Sequence, residues 1–109
     1  MAIIQNLTID QGTTWSIIIN VTDASGDIKD LTNYTVRSQM RKSYYTNTYI
    51  EITTEVSSPL DGEITMSLTA EETAALKSGR YVYDLEIEGN DETLRIIEGI
   101  ITVNPEVTR

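Results

Sequence analysis

The sequence contains no cysteine and no histidine. Without cysteine, the chain can form no disulfide bond, thiolate nucleophile or cysteine-ligated zinc site. Without histidine, it lacks the side chain that most often serves as a general base or a transition-metal ligand. Any catalysis would have to rest on carboxylates, hydroxyls and amines alone. We therefore expect a protein that is not an enzyme and that uses no metal or other cofactor.

Basic residues are also scarce, because 8 Lys and Arg stand against 17 Asp and Glu, giving a net charge of −9. Nucleic acids and anionic membrane surfaces both attract clusters of basic side chains. No apolar run approaches the roughly 20 residues that span a bilayer. The first residues also lack the basic region and cleavage signature of a signal peptide. We expect neither a nucleic acid nor a membrane as a partner.

The length and the strand signals bound the fold class. A chain of 109 residues fits one domain over 1–109 with one modest core. Hydrophobic residues alternate with polar ones between turn signals, and such alternation is typical of β-strands. Isoleucines fall on both faces of the last window, which predicts a central strand or a bulge near Gly99. The windows that predict strands are 2–9, 13–21, 34–42, 48–56, 63–68, 80–88 and 93–103.

One segment departs from the strand pattern. Thr69 and Glu72 have the spacing of a capping box, in which each residue caps the backbone of the other. Residues 70–77 favour a helix, and Gly79 follows as a stop signal. The sequence therefore predicts a short helix near residues 70–77 that crosses between sheets.

Seven strands at regular spacing with one short crossover helix predict an all-β fold, an immunoglobulin-like Greek-key β-sandwich. In that fold a tyrosine hydroxyl often bonds back to the turn before its strand, and Tyr81 follows the crossover in this position. The strands at 34–42, 80–88 and 93–103 would then share one sheet.

This arrangement also predicts ion pairs between neighbouring strands. Arg37 and Arg41 alternate on one predicted strand, and Asp84 and Glu86 alternate on another. Opposite charges facing each other across two strands stabilise their pairing. We expect the two arginines to lie across from the two carboxylates.

Six segments spread over nearly the whole chain have a familiar pattern. They are Asp-Gln-Gly-Thr-Thr-Trp at 10–15, Asp-Leu-Thr-Asn-Tyr at 30–34, Met-Arg-Lys-Ser-Tyr at 40–44, Leu-Thr-Ala-Glu-Glu-Thr-Ala-Ala-Leu at 68–76, Gly-Arg-Tyr-Val-Tyr-Asp-Leu at 79–85 and Glu-Gly-Ile-Ile-Thr-Val at 98–103. On these segments the chain resembles small virion structural proteins of cyanobacterial contractile-tailed phages. It is also similar, more distantly, to the amino-terminal immunoglobulin-like domain of upper baseplate proteins in siphophages.

The resemblance implies a virion protein that is expressed in the host cytoplasm and built into the head, neck, tail or baseplate. It supplies no active site to transfer onto this chain. The expected partners are other virion proteins or further copies of the chain, joined through protein–protein contacts. Unpaired edge strands are natural points of assembly, and 2–9 and 48–56 are candidates for such edges.

The best candidate interaction surface is a polar loop that is rich in tyrosine. Tyr44, Tyr45 and Tyr49 cluster there beside Arg41 and Lys42. Tyrosine and arginine are enriched at interface hot spots because each combines a large contact area with a polar end. The other interpretation is a solvated tip between two strands.

Two further features have competing interpretations. Trp15 would serve an adhesin or glycan-binding β-sandwich module as a stacking platform for a sugar ring, but it also begins an apolar strand face and so favours a core position. A group of oxygen-bearing side chains would suit Ca²⁺, although a plain turn explains it better. Its members are Asp23, Ser25, Asp27 and Asp30.

Overall fold

The protein was analysed as a computed structural model, which describes residues 3–107. Strands dominate this part of the chain, so the all-β prediction is confirmed. A 3₁₀ turn at Pro59–Asp61 and one α-helix, α1, at Ala70–Ala74 join strands in the second half. The strands are β1 (Ile3–Ile4), β2 (Leu7–Asp10), β3 (Trp15–Asn20), β4 (Thr35–Arg41), β5 (Ile50–Ser58), β6 (Glu63–Leu68), β7 (Gly79–Gly89) and β8 (Glu92–Asn104).

The strands form one curled mixed sheet in the order β1-β8-β7-β4-β5-β6-β3, and β2 also pairs with β8. The amino-terminal β1 and β2 run parallel to β8, whereas the other pairs are antiparallel. The strand β5 joins the two halves, because its residues 50–52 pair with β4 and its residues 53–58 pair with β6. The predicted neighbours 34–42, 80–88 and 93–103 do lie side by side as β4, β7 and β8.

Alternation along the strands places one set of side chains inside the curl. On β7, for example, every second residue is buried while the residues between them are only partly covered or exposed. Burying such a branched or aromatic side chain stabilises the fold by about 1.5–3 kcal/mol relative to leaving it exposed. The fully buried members of this core include Ile9, Leu31, Met40, Ile52, Ile64, Met66, Leu85, Ile87 and Ile101.

The long strand β8 is central, as predicted, because it pairs with β7 on one side and with β1 and β2 on the other. Its bulge does not lie near Gly99. The register with β7 shifts between Leu85 and Glu86, where Ile96 is the extra residue on β8. At Gly99 the backbone of β8 instead approaches the link between β1 and β2 so closely that an added Cβ would lie 2.5 Å from the Gln5 carbonyl oxygen.

That link between β1 and β2 is held by three hydrogen bonds. The backbone N–H of Gln5 donates to the Glu98 carbonyl, and its own carbonyl accepts from the hydroxyl of Tyr83. The side-chain oxygen of Asn6 accepts from the backbone N–H of Ile100 at 3.1 Å. Burial raises the pKa of the Tyr83 phenol to about 12, so this donor stays protonated through the physiological range. The first strands are therefore fixed to β7 and β8 where the strand ladder is interrupted.

The helix α1 begins as predicted and ends early. Thr69 and Glu72 make both bonds of the capping box, at 2.8 and 3.1 Å. The helix was predicted to reach Lys77, but it ends at Ala74. Beyond Ala74 the chain winds more tightly, since the Leu76 N–H donates to the Thr73 carbonyl three residues earlier, and the Leu76 carbonyl accepts from the Gln11 side chain at 2.6 Å. None of the helices in the described residues has the length and apolarity required to cross a membrane.

The bond predicted for Tyr81 is present. Its ring is buried at the start of β7, and its hydroxyl donates to the Lys77 carbonyl at 2.8 Å. The second anchor of this connection is Thr73, which is fully buried and donates to the Thr13 carbonyl at 2.7 Å. Because a buried hydroxyl without a partner is costly, these two bonds help to fix how the chain passes from α1 into β7.

Candidate interaction surfaces

The tyrosine loop, defined as residues 42–49 between β4 and β5, projects its aromatic side chains into solvent. Tyr44 is 69% exposed, Tyr45 is 95% exposed and Tyr49 is 49% exposed. Large aromatic side chains are rarely left this open unless they meet a partner or belong to a mobile tip. Each of the three predicted tyrosines is therefore accessible to a partner.

Arg41 and Lys42, the two basic residues predicted to accompany these tyrosines, point to different places. The guanidinium of Arg41 lies 5.1 Å from the centre of the Tyr49 ring and donates to the Thr46 carbonyl at 2.6 Å. Arg41 thus stabilises the tyrosine loop through contacts with two of its own residues. The ammonium of Lys42 instead lies 4.3 Å from the centre of the Tyr81 ring, on the other side of the strand. Lys42 belongs to the connection that leads into β7.

A shallow groove of about 270 Å³ continues from the tyrosine loop along the outer face of β4, β7 and β8. Tyr44 and Arg41 line the groove at the end near the loop. The rest of its lining is mostly charged and carries both signs, so the groove is suited to polar and charged groups of a partner. These charged residues are Arg37, Asp84, Glu86, Arg95 and Glu98.

The cross-strand pairing in this groove agrees only in part with the prediction. Arg37 does face Glu86, with 3.9 Å between Nε and Oε1. The expectation is wrong for Arg41, which lies across from neither carboxylate. The register of β4 with β7 places residue 39 opposite Asp84 and residue 82 opposite Arg41. Asp84 pairs instead with Arg95 of β8, at 3.4 Å between Oδ2 and Nε.

The surroundings of Asp84 in the groove disfavour the ionised form of its carboxyl group. Partial burial raises the pKa of its carboxyl group, and the negative charges of Glu86 and Glu98 add to the effect. Arg95 and Arg37 offset part of this rise. A partner that supplied a positive or hydrogen-bond-donating group here would stabilise the ionised carboxylate of Asp84. Within residues 3–107, no group of three or more carboxylates is placed to hold a metal ion.

The other two predicted sites are explained by packing and turns. Trp15 is only 9% exposed and packs in the core, so its indole face is not open to a sugar ring. Asp23 accepts the backbone N–H groups of Ser25 and Asp27 at 2.9 and 3.1 Å, as expected for a turn. Asp30 accepts from the hydroxyl and the backbone N–H of Thr32, and these two bonds lower the pKa of its carboxyl group.

The predicted edge strands agree with the structure in part. Residues 3–10 form β1 and β2 at one end of the strand order, so this segment does lie at an edge. The segment 48–56 lies inside the strand order as β5, but within residues 3–107 its residues 50–52 pair with β4 alone and its residues 53–58 pair with β6 alone, so each half keeps one open side. The other end of the order is β3, which was not among the edges expected from the sequence. Its uncharged residues 15–20 do not distinguish it, because residues 43–50 and 64–70 are uncharged as well.

Comparison with known proteins gives information about the fold alone. No protein-family model and no curated protein matches the chain. Among solved structures, the chain is similar to a crystal structure of InlP from Listeria monocytogenes, with a TM-score of 0.50 and 19% sequence identity. The match covers 92% of this chain but only 26% of the InlP chain. This chain therefore corresponds to about a quarter of that structure.

Proposed function

We propose that this chain is a non-enzymatic structural protein of a phage virion. It would act in the head, neck, tail or baseplate through contacts with other virion proteins. Its scaffold would be an immunoglobulin-like Greek-key sandwich. The resemblance of the sequence segments to small virion proteins supports the phage context, and the strand topology supports the scaffold.

The topology supports the sandwich because its two halves match the sheet composition of that fold. Immunoglobulin-type domains place strands C, F and G in one sheet and strands B, E and D in the other. Here β4, β7 and β8 are neighbours, and so are β3, β6 and the second half of β5. The hydroxyl of Tyr81 also makes the backward bond that is typical of the tyrosine corner in such domains.

The observation that carries the proposed contact is the exposed tyrosine loop held by Arg41. Tyr44 and Tyr45 stand clear of the body, while the stacking of Arg41 on Tyr49 fixes the base of the loop. A loop whose base is already ordered loses less conformational entropy on binding. The groove that begins at Tyr44 would extend this contact over the outer face of β4, β7 and β8.

Incorporation into particles tests the proposal directly. A phage that lacks the gene would be complemented with the wild-type chain, with the double variant Tyr44→Ala and Tyr45→Ala, or with Ile28→Ala. Ile28 is a matched control because it is 61% exposed and lies outside the tyrosine loop. Mass spectrometry of purified particles should find the wild type and the control in fixed copy number, and should find the double variant strongly depleted.

Three outcomes would contradict the proposal. Absence of the wild-type chain from purified particles would exclude a virion role. Equal incorporation of the double variant would exclude the tyrosine loop as the contact. Binding of the isolated monomer to a glycan array, abolished by the same double variant, would favour the adhesin or glycan-binding alternative. That alternative now rests on the tyrosines alone, because Trp15 is buried.

A further inference from the structure

The strand β3 has an open edge. It pairs with β6 on one side, and within residues 3–107 no strand pairs with its other side. The backbone N–H of Val21 donates to the Gly62 carbonyl at 2.8 Å, on the side of β6. Because successive residues of a strand direct their N–H and C=O groups to opposite sides, Ser16, Ile18 and Asn20 direct theirs to the open edge. These groups form a template for one more strand.

This edge lacks the features that normally prevent pairing with another chain. Exposed edges usually carry lysine, other charges, proline or a bulge. The strand β3 has no charged residue, no proline and a regular register with β6. Ile18 on its outer face is 58% exposed. Beneath the edge lies a groove of about 280 Å³, which is lined by Ile3, Ile18 and Ile96 among other uncharged residues.

The apolar and polar residues of β3 are arranged symmetrically about Ile18. Counting outward from Ile18, the strand has an isoleucine on each side, at 17 and 19, and then a polar residue on each side, at 16 and 20. If two such strands run antiparallel with Ile18 facing Ile18, residue 16 faces residue 20 and residue 17 faces residue 19. Apolar side chains then meet apolar ones, and polar meet polar, on both faces of the pair.

We propose that two copies of this chain associate edge to edge through β3, antiparallel and about a twofold axis that passes beside Ile18. Such an interface is isologous, because the same patch is used by both copies. The pairing would join the β5-β6-β3 half of the sheet in one copy to the same half in the other copy, giving one six-stranded layer in the order β5-β6-β3-β3-β6-β5. It would also cover the uncharged groove under each edge.

The charge of the molecule favours this edge over the open sides of β5. Each copy carries a net charge of −9, so two copies repel each other wherever their carboxylates come close. The open sides of β5 carry Glu51 and Glu55, which would face like charges across a symmetric pair. At β3 no charged side chain stands on the strand itself, so two copies can approach there without burying a carboxylate.

The absence of cysteine from the sequence makes a cross-linking test straightforward. In an antiparallel pair, residues that exchange both backbone hydrogen bonds have Cα atoms about 5.5 Å apart, within the range of a disulfide. The variant Ile18→Cys should therefore form a covalent dimer under mild oxidation. The matched control is Ile28→Cys, because Ile28 is similarly exposed, at 61%, and lies outside β3. This control should remain a single chain at the same protein concentration.

A second pair of variants tests the association without cross-linking. The wild type should approach twice the mass of one chain in light scattering as its concentration rises. Ile18→Lys places two ammonium groups opposite each other and should raise the dissociation constant at least about tenfold. Ile28→Lys makes the same change in net charge elsewhere and should leave the dissociation constant unchanged. Circular dichroism of all four variants would show that each remains folded.

These experiments distinguish a failure of the β3 dimer from a failure of the proposed virion function. A wild type that stays at the mass of one chain at every concentration would overturn the β3 dimer, as would a dimer that survives Ile18→Lys. Equal cross-linking of the two cysteine variants would also overturn it. The double variant Tyr44→Ala and Tyr45→Ala should keep the dimer intact, since the tyrosine loop takes no part in the β3 edge. Loss of the dimer in that variant would count against the pairing through β3.

Discussion

Replacing Tyr81 with phenylalanine would remove one oxygen atom at the point where the chain enters β7. The Tyr81 side chain is only 4% exposed, and its hydroxyl donates to the Lys77 carbonyl at 2.8 Å. Phenylalanine keeps the ring, so the packing of the core and the contact with the Lys42 ammonium are preserved. The substitution thus isolates the hydrogen bond from the apolar contribution of the ring.

The expected loss of stability follows from that geometry. A hydrogen bond within a protein contributes about 0.5–1.5 kcal/mol net, and leaving one buried partner unsatisfied costs about 1–3 kcal/mol. The bond is only part-buried and Lys77 is an exposed residue, so water can partly replace it, and we expect Tyr81→Phe to lower the free energy of unfolding by about 1 kcal/mol. For a chain of about 100 residues, each kcal/mol corresponds to a fall in Tm of roughly 4–8 °C.

Urea denaturation provides the assay, with Trp15 as a built-in reporter. It is the only tryptophan, and it is buried in the core, so its fluorescence should change on unfolding. With a urea dependence of about 1–3 kcal/mol/M, a loss of about 1 kcal/mol should lower the midpoint by roughly 0.3–1 M while the slope stays constant. Tyr45→Phe is the control, because it removes the same hydroxyl from a side chain that is 95% exposed.

The result that would refute the reasoning is a midpoint for Tyr81→Phe that coincides with that of Tyr45→Phe. Such equality would mean that the backward bond of Tyr81 contributes nothing net to stability. A changed slope would point to a change in the unfolded or native ensemble rather than to the loss of one bond.

Three further substitutions test other contacts. Gly99→Ala should lower the Tm by several degrees, because its Cβ would lie 2.5 Å from a backbone carbonyl oxygen of the β1–β2 link. Thr73→Val should lower the free energy of unfolding by about 1 kcal/mol in urea, because it removes the bond to the Thr13 carbonyl at similar side-chain size. Glu92→Gln should reduce the fall in Tm that the wild type shows when the pH is lowered, that is, it should flatten the acid limb of the curve of Tm against pH. The hydrogen bond from Tyr34 lowers the pKa of Glu92 below its ordinary value of 4.5, so the wild type loses this stabilisation as pH falls below about 4.5.

Each of these three has a control or a contradicting outcome. An unchanged Tm for Gly99→Ala would mean that the β1–β2 link can move away from β8 at no cost. Thr73→Ser keeps the hydroxyl and should restore much of the stability lost in Thr73→Val. Tyr34→Phe removes the main cause of the lowered pKa of Glu92, so it should flatten the acid limb as well. A Tyr34→Phe curve that matches the wild type below pH 4.5 would contradict the assigned cause.

Local sequence patterns were enough to predict the strands, the cap of the helix α1 and the backward hydrogen bond of Tyr81. Alternation depends on neighbours two residues apart, the capping box on Thr69 and Glu72 three apart, and the bond of Tyr81 on a carbonyl four residues earlier. The exposure of the tyrosine loop was predictable for the same reason, because residues 42–49 carry no alternation that would bury them.

What the sequence did not predict depends on register between distant segments. Arg37 and Arg41 were expected across from Asp84 and Glu86, but the register of β4 with β7 places Arg41 opposite Val82 and beside the tyrosine loop. The bulge at Ile96 and the position of β3 at one end of the strand order also depend on which strands meet. Hydrophobic alternation has a period of two, so it cannot distinguish registers that differ by two residues.

The parallel pairing of β1 and β2 with β8 has a consequence for how the molecule is made. The bond between Asn6 and Ile100 joins residues that are 94 apart in the sequence. Contacts between such distant residues close last and slow folding, because the loop entropy is lost before the contact forms. During synthesis the first two strands must wait without a partner until β8 has left the ribosome. A nascent chain stalled before Glu92 would still hold Ile3–Ile4 and Leu7–Asp10 unpaired with β8, however complete the rest of its sheet.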